Sequence, residues 1–159
     1  MPILTKLKEF LDANRIRYEV RSHAVAYTAQ EVAAEEHIPG REMAKVVMIR
    51  DGGEYLMAVL PAPHHVDLGR LEKAAGRKGL TLATEAEFGR LFPGCDPGAM
   101  PPFGNLYGIP VWVDESLTRD DEIAFNAGNH EQTVHMKCAD FARLVRPGIA
   151  SFRSGVKAA

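Results

Sequence analysis

The sequence predicts a mixed α/β fold, α+β in character, in which a single domain packs helices around a central sheet. Three observations carry that expectation. Segments with helical apolar period alternate with short β-branched runs along the chain. Two of those runs, Lys45–Arg50 and Tyr55–Leu60, are joined through Asp51-Gly52-Gly53 and predict a hairpin in the middle of a sheet, buried on both faces. The 159 residues match the size of one domain. A chain of that length buries roughly 70% of its unfolded surface, so neither a metal nor a disulfide is needed to complete the core.

Each element follows from local signals. Ile3, Leu4, Leu7, Phe10 and Leu11 recur at helical spacing among charged residues, predicting an amphipathic helix over 2–14. Arg17–Ser22 alternates as a short strand, with Tyr18 and Val20 on one face. Thr28 followed by Glu31 has capping-box spacing and opens a helix through Glu36, which Pro39-Gly40 closes. After the hairpin, Pro61 and Pro63 stop the second strand, and a helix over Asp67–Arg77 starts soon afterwards. A strand at Leu80–Leu82 and a helix from Thr84 to about Leu91 come next. Phe92–Gly104 crowds together four prolines and three glycines and predicts a shaped, irregular loop. Three short strands, Ile109–Val113, Glu122–Asn126 and Gln132–Met136, precede a closing helix at Cys138–Val145. The domain is thus expected over residues 1–146. Residues 147–159, small, polar and basic, are expected as a flexible C-terminal tail.

Hydrophobic residues at 46% and charged residues at 25% exclude a disordered or fibrous class. No apolar run approaches the roughly 20 residues that span a bilayer, and Met1–Lys6 leads into the first helix rather than a signal peptide. A cytoplasmic protein is expected. Cys95 and Cys138 lack CxxC spacing and suit structural thiols. The formal net charge of −2 argues against coating long stretches of nucleic acid, though not against gripping one end of an RNA. On the helix expected over Asp67–Arg77, Arg70, Lys73 and Arg77 recur at helical spacing and form a basic side opposite Leu68, Leu71 and Ala75. Such a stripe serves either as a solvated face or as a phosphate contact.

Lys45 stands at the head of a buried strand, where it either snorkels to solvent or is held beside a cleft. In a cleft its ammonium would donate to an anion or a carbonyl. Gly98 and Pro102 bracket Ala99-Met100-Pro101, a loop stiffened by proline and open to close backbone approach at glycine. Asn126-Ala127-Gly128-Asn129-His130 follows a strand and turns, either as a plain hairpin or as part of a cleft at the strand end. His130 is a candidate pocket wall or proton shuttle. His64-His65-Val66-Asp67 contains metal-ligating types, but adjacent residues of an extended chain point apart and no HExxH completes a site. The sequence also lacks a GxSxG nucleophile elbow.

Taken together, His23-Ala24-Val25-Ala26-Tyr27-Thr28, Met43-Ala44-Lys45-Val46-Val47, Asp67-Leu68, the run Cys95–Gly104, the run Gly108–Leu117 and Asn126-Ala127-Gly128 resemble the YbaK/prolyl-tRNA-synthetase-associated family of editing domains. The resemblance spans nearly the whole chain, with the family's lysine at Lys45 and its GxxxP loop at Gly98–Pro102. It implies a central mixed, partly barrel-like β-sheet flanked by helices. It also implies a trans-editing aminoacyl-tRNA deacylase, which hydrolyses the ester between a small mischarged amino acid and the terminal adenosine of tRNA without cofactor or metal. Under it, Lys45, Gly98, Asn126 and Gly128 are the expected catalytic residues. Tyr27, Met43, Ala99, Met100, Pro101, Pro102, Ala127 and His130 are expected to bind substrate, and Arg70, Lys73 and Arg77 to bind tRNA. The implied partners are the acceptor end of a mischarged tRNA and an aminoacyl-tRNA synthetase, with no role for DNA or membrane. A non-catalytic module of the same fold, binding tRNA ends, nucleotides or a synthetase, is the alternative.

Overall fold

The computed structural model describes residues 3–154. The first half of the chain runs through helix α1 (Thr5–Ala13), strand β1 (Tyr18–Ser22), helix α2 (Ala29–Glu35), hairpin strands β2 (Ala44–Asp51) and β3 (Glu54–Pro61), and helix α3 (Leu68–Ala75). The second half adds strand β4 (Thr81–Leu82), helix α4 (Glu85–Phe88), strands β5 (Val111–Asp114), β6 (Glu122–Asn126) and β7 (Gln132–Lys137), helix α5 (Cys138–Val145) and strand β8 (Gly148–Ala150). The mixed sheet flanked by helices is as the sequence predicts, but it is divided in two and does not close into a barrel. One sheet is antiparallel in the order β1-β7-β6; the other has the order β4-β2-β3-β5-β8, with β3, β5 and β8 parallel. An isolated parallel bridge between Met43 and Ala124 links them.

Local chemistry explains most boundaries. The Thr28 hydroxyl accepts from the Glu31 N–H at 3.1 Å and caps α2. Asp67 caps α3 in the same way, and Gly76 ends it in the left-handed conformation. Thr84 and Glu87 form a complete capping box, although α4 stops at Phe88 instead of running on to Leu91. On β1, Tyr18 is half-buried while Val20 is exposed, because β1 is an edge strand whose second face meets solvent.

The core lies between the sheets. Phe103, carried in by the Pro/Gly-rich loop, meets Phe125 of β6 and Phe141 of α5 at ring-centroid distances of 5.5 and 5.4 Å. That loop is therefore pinned at its far end. Behind the larger sheet, Leu71 of α3 packs with Ile49, Leu56, Leu60 and Phe152.

The expected tail from residue 147 is corrected by the same packing. β8 pairs in parallel with β5, and Phe152 is fully buried. Asp114 accepts from the backbone N–H groups of Phe152 and Arg153, and Arg153 Nη1 lies 2.8 Å from its carboxylate. Burial alone would raise the pKa of Asp114, but hydrogen bonds from Ser116, Phe152 and Arg153 outweigh it and hold the carboxyl below its usual range. One aromatic and one arginine in a small, polar segment thus fasten the chain through Ser154. Residues 155–159 of the expected tail lie outside the described residues.

Candidate active site

The site begins with strand register. Met43 bridges Ala124 in parallel, and two residues further along each strand stand Lys45 and Asn126. Because side chains alternate with period two, the same step on two parallel neighbours turns both side chains to one side. They line one hollow of about 330 Å³. The start of α2 contributes Thr28, Ala29 and Gln30, and the segment after β3 contributes Ala62, Pro63 and His65. Gly98 and Met100 complete the wall. The Ala62 N–H donates to Met43 O at 2.9 Å, continuing the hairpin ladder beyond Pro61 and bringing its end over the hollow.

Lys45 is half-buried, and its ammonium has no carboxylate partner among the described residues. Burial pushes its pKa below the ordinary lysine value. Asn126 is 8% exposed, and its buried Oδ1 has no hydrogen-bond partner among the described residues. A lone cation beside an unsatisfied amide is costly to keep in an empty cleft and suits a polar ligand.

The Gly98 loop is laced to the turn after β6. Asp96 N–H donates to Gly128 O at 2.8 Å, and Gly128 N–H donates to Ala99 O at 2.9 Å. His130 Nε2 donates to Pro97 O at 2.9 Å. Gly98 takes φ +81°, a conformation that favours glycine. Its N–H and that of Met100 make no hydrogen bond among the described residues, which leaves two backbone donors on the loop beside Lys45.

The opposite wall, α2, is fastened at its far end. The Glu36 carboxylate accepts from Thr133 Oγ1 and His135 Nε2, each at 2.7 Å, and lies 3.5 Å from His23 Nε2. Burial alone would raise the Glu36 pKa; the hydrogen bonds from His135 and Thr133 overcome it and hold the carboxyl low.

The structure brings together four of the expected residues: Lys45, Gly98, Met100 and Asn126. Others build the hollow without lining it. Met43 is fully buried in a cluster with Val32 and Ala124, where helix α2 covers it before the strand opens at Lys45. Ala99, Pro101 and Pro102 are buried under the loop. Ala127 is buried, its N–H and carbonyl engaged by Gln132 and Leu4. Gly128 does not line the Lys45 hollow; it sits at φ +104°, and a Cβ there would approach Leu4 Cβ to 3.0 Å. Tyr27 and His130 stack on each other in an adjoining hollow rather than in the Lys45 hollow. Arg70 and Lys73 lie on α3, which Gly76 ends before the expected Arg77, and none of the three lines the Lys45 hollow; Arg77 is 3.4 Å from Asp51 and Arg70 is 3.7 Å from Asp67.

Sequence reasoning missed Gln30, Ala62, Pro63 and His65 as lining residues. A signal for two of them was present, since Pro61 and Pro63 mark the strand end opposite Ala44. His65 could be found only from the fold. Cys95 and Cys138 both have thiols pushed up by burial, which suits packing and not nucleophilic attack. Among the described residues, no group of three or more His, Cys, Asp or Glu is placed to hold a metal, and no helix is long and apolar enough to cross a membrane.

The chain matches the family model of the aminoacyl-tRNA editing domain over residues 23–144. It is 36% identical over 113 residues to the multifunctional Ser/Thr-tRNA deacylase ProXp-y of Escherichia coli K12, covering 69% of this chain and 67% of that protein. A crystal structure of a candidate trans-editing enzyme for prolyl tRNA synthetase superposes with a TM-score of 0.81 at 19% identity, covering 94% of this chain and 96% of that one. The crystal structure of a hypothetical protein gives a TM-score of 0.84, also at 19% identity, covering 94% of this chain and 99% of that one. At such identities the two structures establish a shared fold.

Proposed function

The chain belongs to the aminoacyl-tRNA editing domain family, and from that premise we propose that it is a trans-editing deacylase acting through the Lys45 hollow on small amino acids wrongly esterified to tRNA. The observation that carries the reading is the half-buried Lys45, without a carboxylate partner among the described residues, sharing a hollow of small-molecule size with Gly98 and Met100, whose N–H groups make no hydrogen bond among the described residues.

An aminoacyl ester is already activated, so its hydrolysis needs a positioned water and donors for the tetrahedral oxyanion more than a protein nucleophile. The Lys45 ammonium and the Gly98 and Met100 N–H groups supply donors. They hold either the ester oxygen or the nearby phosphate of the terminal nucleotide, while Asn126 fixes the aminoacyl group. Water attacks the carbonyl carbon, the ester C–O bond breaks, and the ribose oxygen leaves with a proton. The substrate's own vicinal ribose hydroxyl assists in this scheme. The exposed Lys73 of α3 and Arg77 just beyond its end contact phosphates of the acceptor stem, which attracts the substrate without reading its sequence.

The test is release of labelled amino acid from a panel of mischarged tRNAs, with and without prolyl-tRNA synthetase to show whether a synthetase is a partner. Release above spontaneous hydrolysis is expected for alanyl, seryl, threonyl or cysteinyl esters. Tight binding of the panel with no release from any member would replace the enzyme with a binding module.

A further inference from the structure

Tyr27 is a large aromatic residue left 70% exposed, yet its ring is not loose on the surface. It packs on His130 with ring centroids 5.0 Å apart and planes tilted by 57°. His130 is in turn held by its Nε2 donating to Pro97 O, and its Nδ1 is buried without a partner among the described residues. The imidazole is therefore fixed through Nε2 to the Gly98 loop, with Tyr27 as its ring partner.

These two rings, with Asp96 and Glu131, bound a second hollow of about 210 Å³. Its lining residues are near neighbours along the chain of those of the Lys45 hollow. Tyr27 is followed by Thr28, and Asp96 stands two residues before Gly98, each pair split between the two hollows. A Cβ built on Gly98 would lie 3.8 Å from His130 Cε1. A ligand with one group beside Lys45 and a flat group a ribose-length away would occupy both.

We infer that Tyr27 and His130 form the platform on which the 3′-terminal base of the tRNA stacks while the aminoacyl ester lies beside Lys45. The lining decides between the parts of a nucleotide. Asp96 and Glu131 are the charged residues there, with no lysine or arginine, so a phosphate is repelled. A neutral, planar base has a π-face for Tyr27, and its ring amino group is a donor for a carboxylate. Stacking on aromatic rings is how single-stranded ends are commonly held. The inference rests on the deacylase reading for the identity of the ligand.

The test uses an acceptor-stem RNA hairpin carrying 2-aminopurine as its 3′-terminal base. Fluorescence quenching is expected on binding to the wild-type protein and to Tyr27→Phe. Tyr27→Ala should abolish the quenching and weaken binding about tenfold or more. With mischarged tRNA, Tyr27→Ala should raise the half-saturating concentration by a similar factor, and Tyr27→Phe should restore it. Wild-type binding without quenching, or Tyr27→Ala binding and quenching like wild type, would overturn the platform. Quenching lost only in Tyr27→Ala, in a protein that releases no amino acid, supports the platform and removes the deacylase reading instead.

Discussion

Replacing Lys45 by Met separates the site's chemistry from its contribution to the fold. Methionine keeps most of the lysine stem's bulk and removes only the ammonium. Loss of one preorganised donor to an oxyanion costs about 10²- to 10³-fold in rate, or about 2.7–4 kcal/mol. Stability moves the other way. No ion pair of Lys45 exists among the described residues, so none is lost, and the desolvation that lowers its pKa is relieved. With the folded pKa below the unfolded one, both states are protonated at low pH and the cost is fully present. Between the two pKa values the unfolded chain binds more protons and stability rises with pH; above both, the cost is gone. Solvent on the open side screens much of it, so the gain in neutral buffer is on the order of 1 kcal/mol or less. That corresponds to a Tm unchanged or higher by about 2–4 °C. Single-turnover deacylation and calorimetry on the same preparation read the two effects. Wild-type activity should also fall on the alkaline side at a lower pH than an ordinary lysine would set. A folded Met variant that deacylates within about twofold of wild type would refute the assignment of Lys45 as the key donor.

Three further substitutions examine the walls and the closure of the fold. Gly98→Ala has room for its methyl, since the nearest atom would be 3.8 Å away, but at φ +81° it costs about 1–2 kcal/mol. Its rate should fall about tenfold with a Tm loss of a few degrees, and an unchanged rate would show that the loop's conformation does not matter. Met100→Ala enlarges the hollow and should shift kcat/KM toward larger aminoacyl esters by about tenfold; a constant ratio across the panel would remove Met100 as a specificity wall. Ending the chain at Ala150 removes the buried Phe152 and leaves Asp114 without Arg153. The expected loss is about 3–5 kcal/mol, read as a Tm at least about 6 °C lower, whereas a dispensable tail would leave the Tm unchanged.

What could be read from the sequence is what local chemistry decides. The capped helix start at Thr28, the hairpin through Gly52-Gly53 and the helix at Cys138–Val145 depend on neighbours a few residues apart, and each stands where expected. The hollow depends on a contact no local pattern contains: the bridge from Met43 to Ala124, which sets Lys45 and Asn126 on one side. The same is true of Glu36 meeting His135, and of Phe152 reaching the core behind β3. This divides the residues of the matching segments by physical role. Lys45, Gly98 and Asn126 line the hollow, whereas Met43, Pro101, Pro102 and Gly128 pack in the strands and loop around it. Loss of activity at a motif residue is therefore not by itself evidence of catalysis. Gly128→Ala would fail through the 3.0 Å approach to Leu4 and appear as lost stability, while Lys45→Met would fail in a protein at least as stable as wild type.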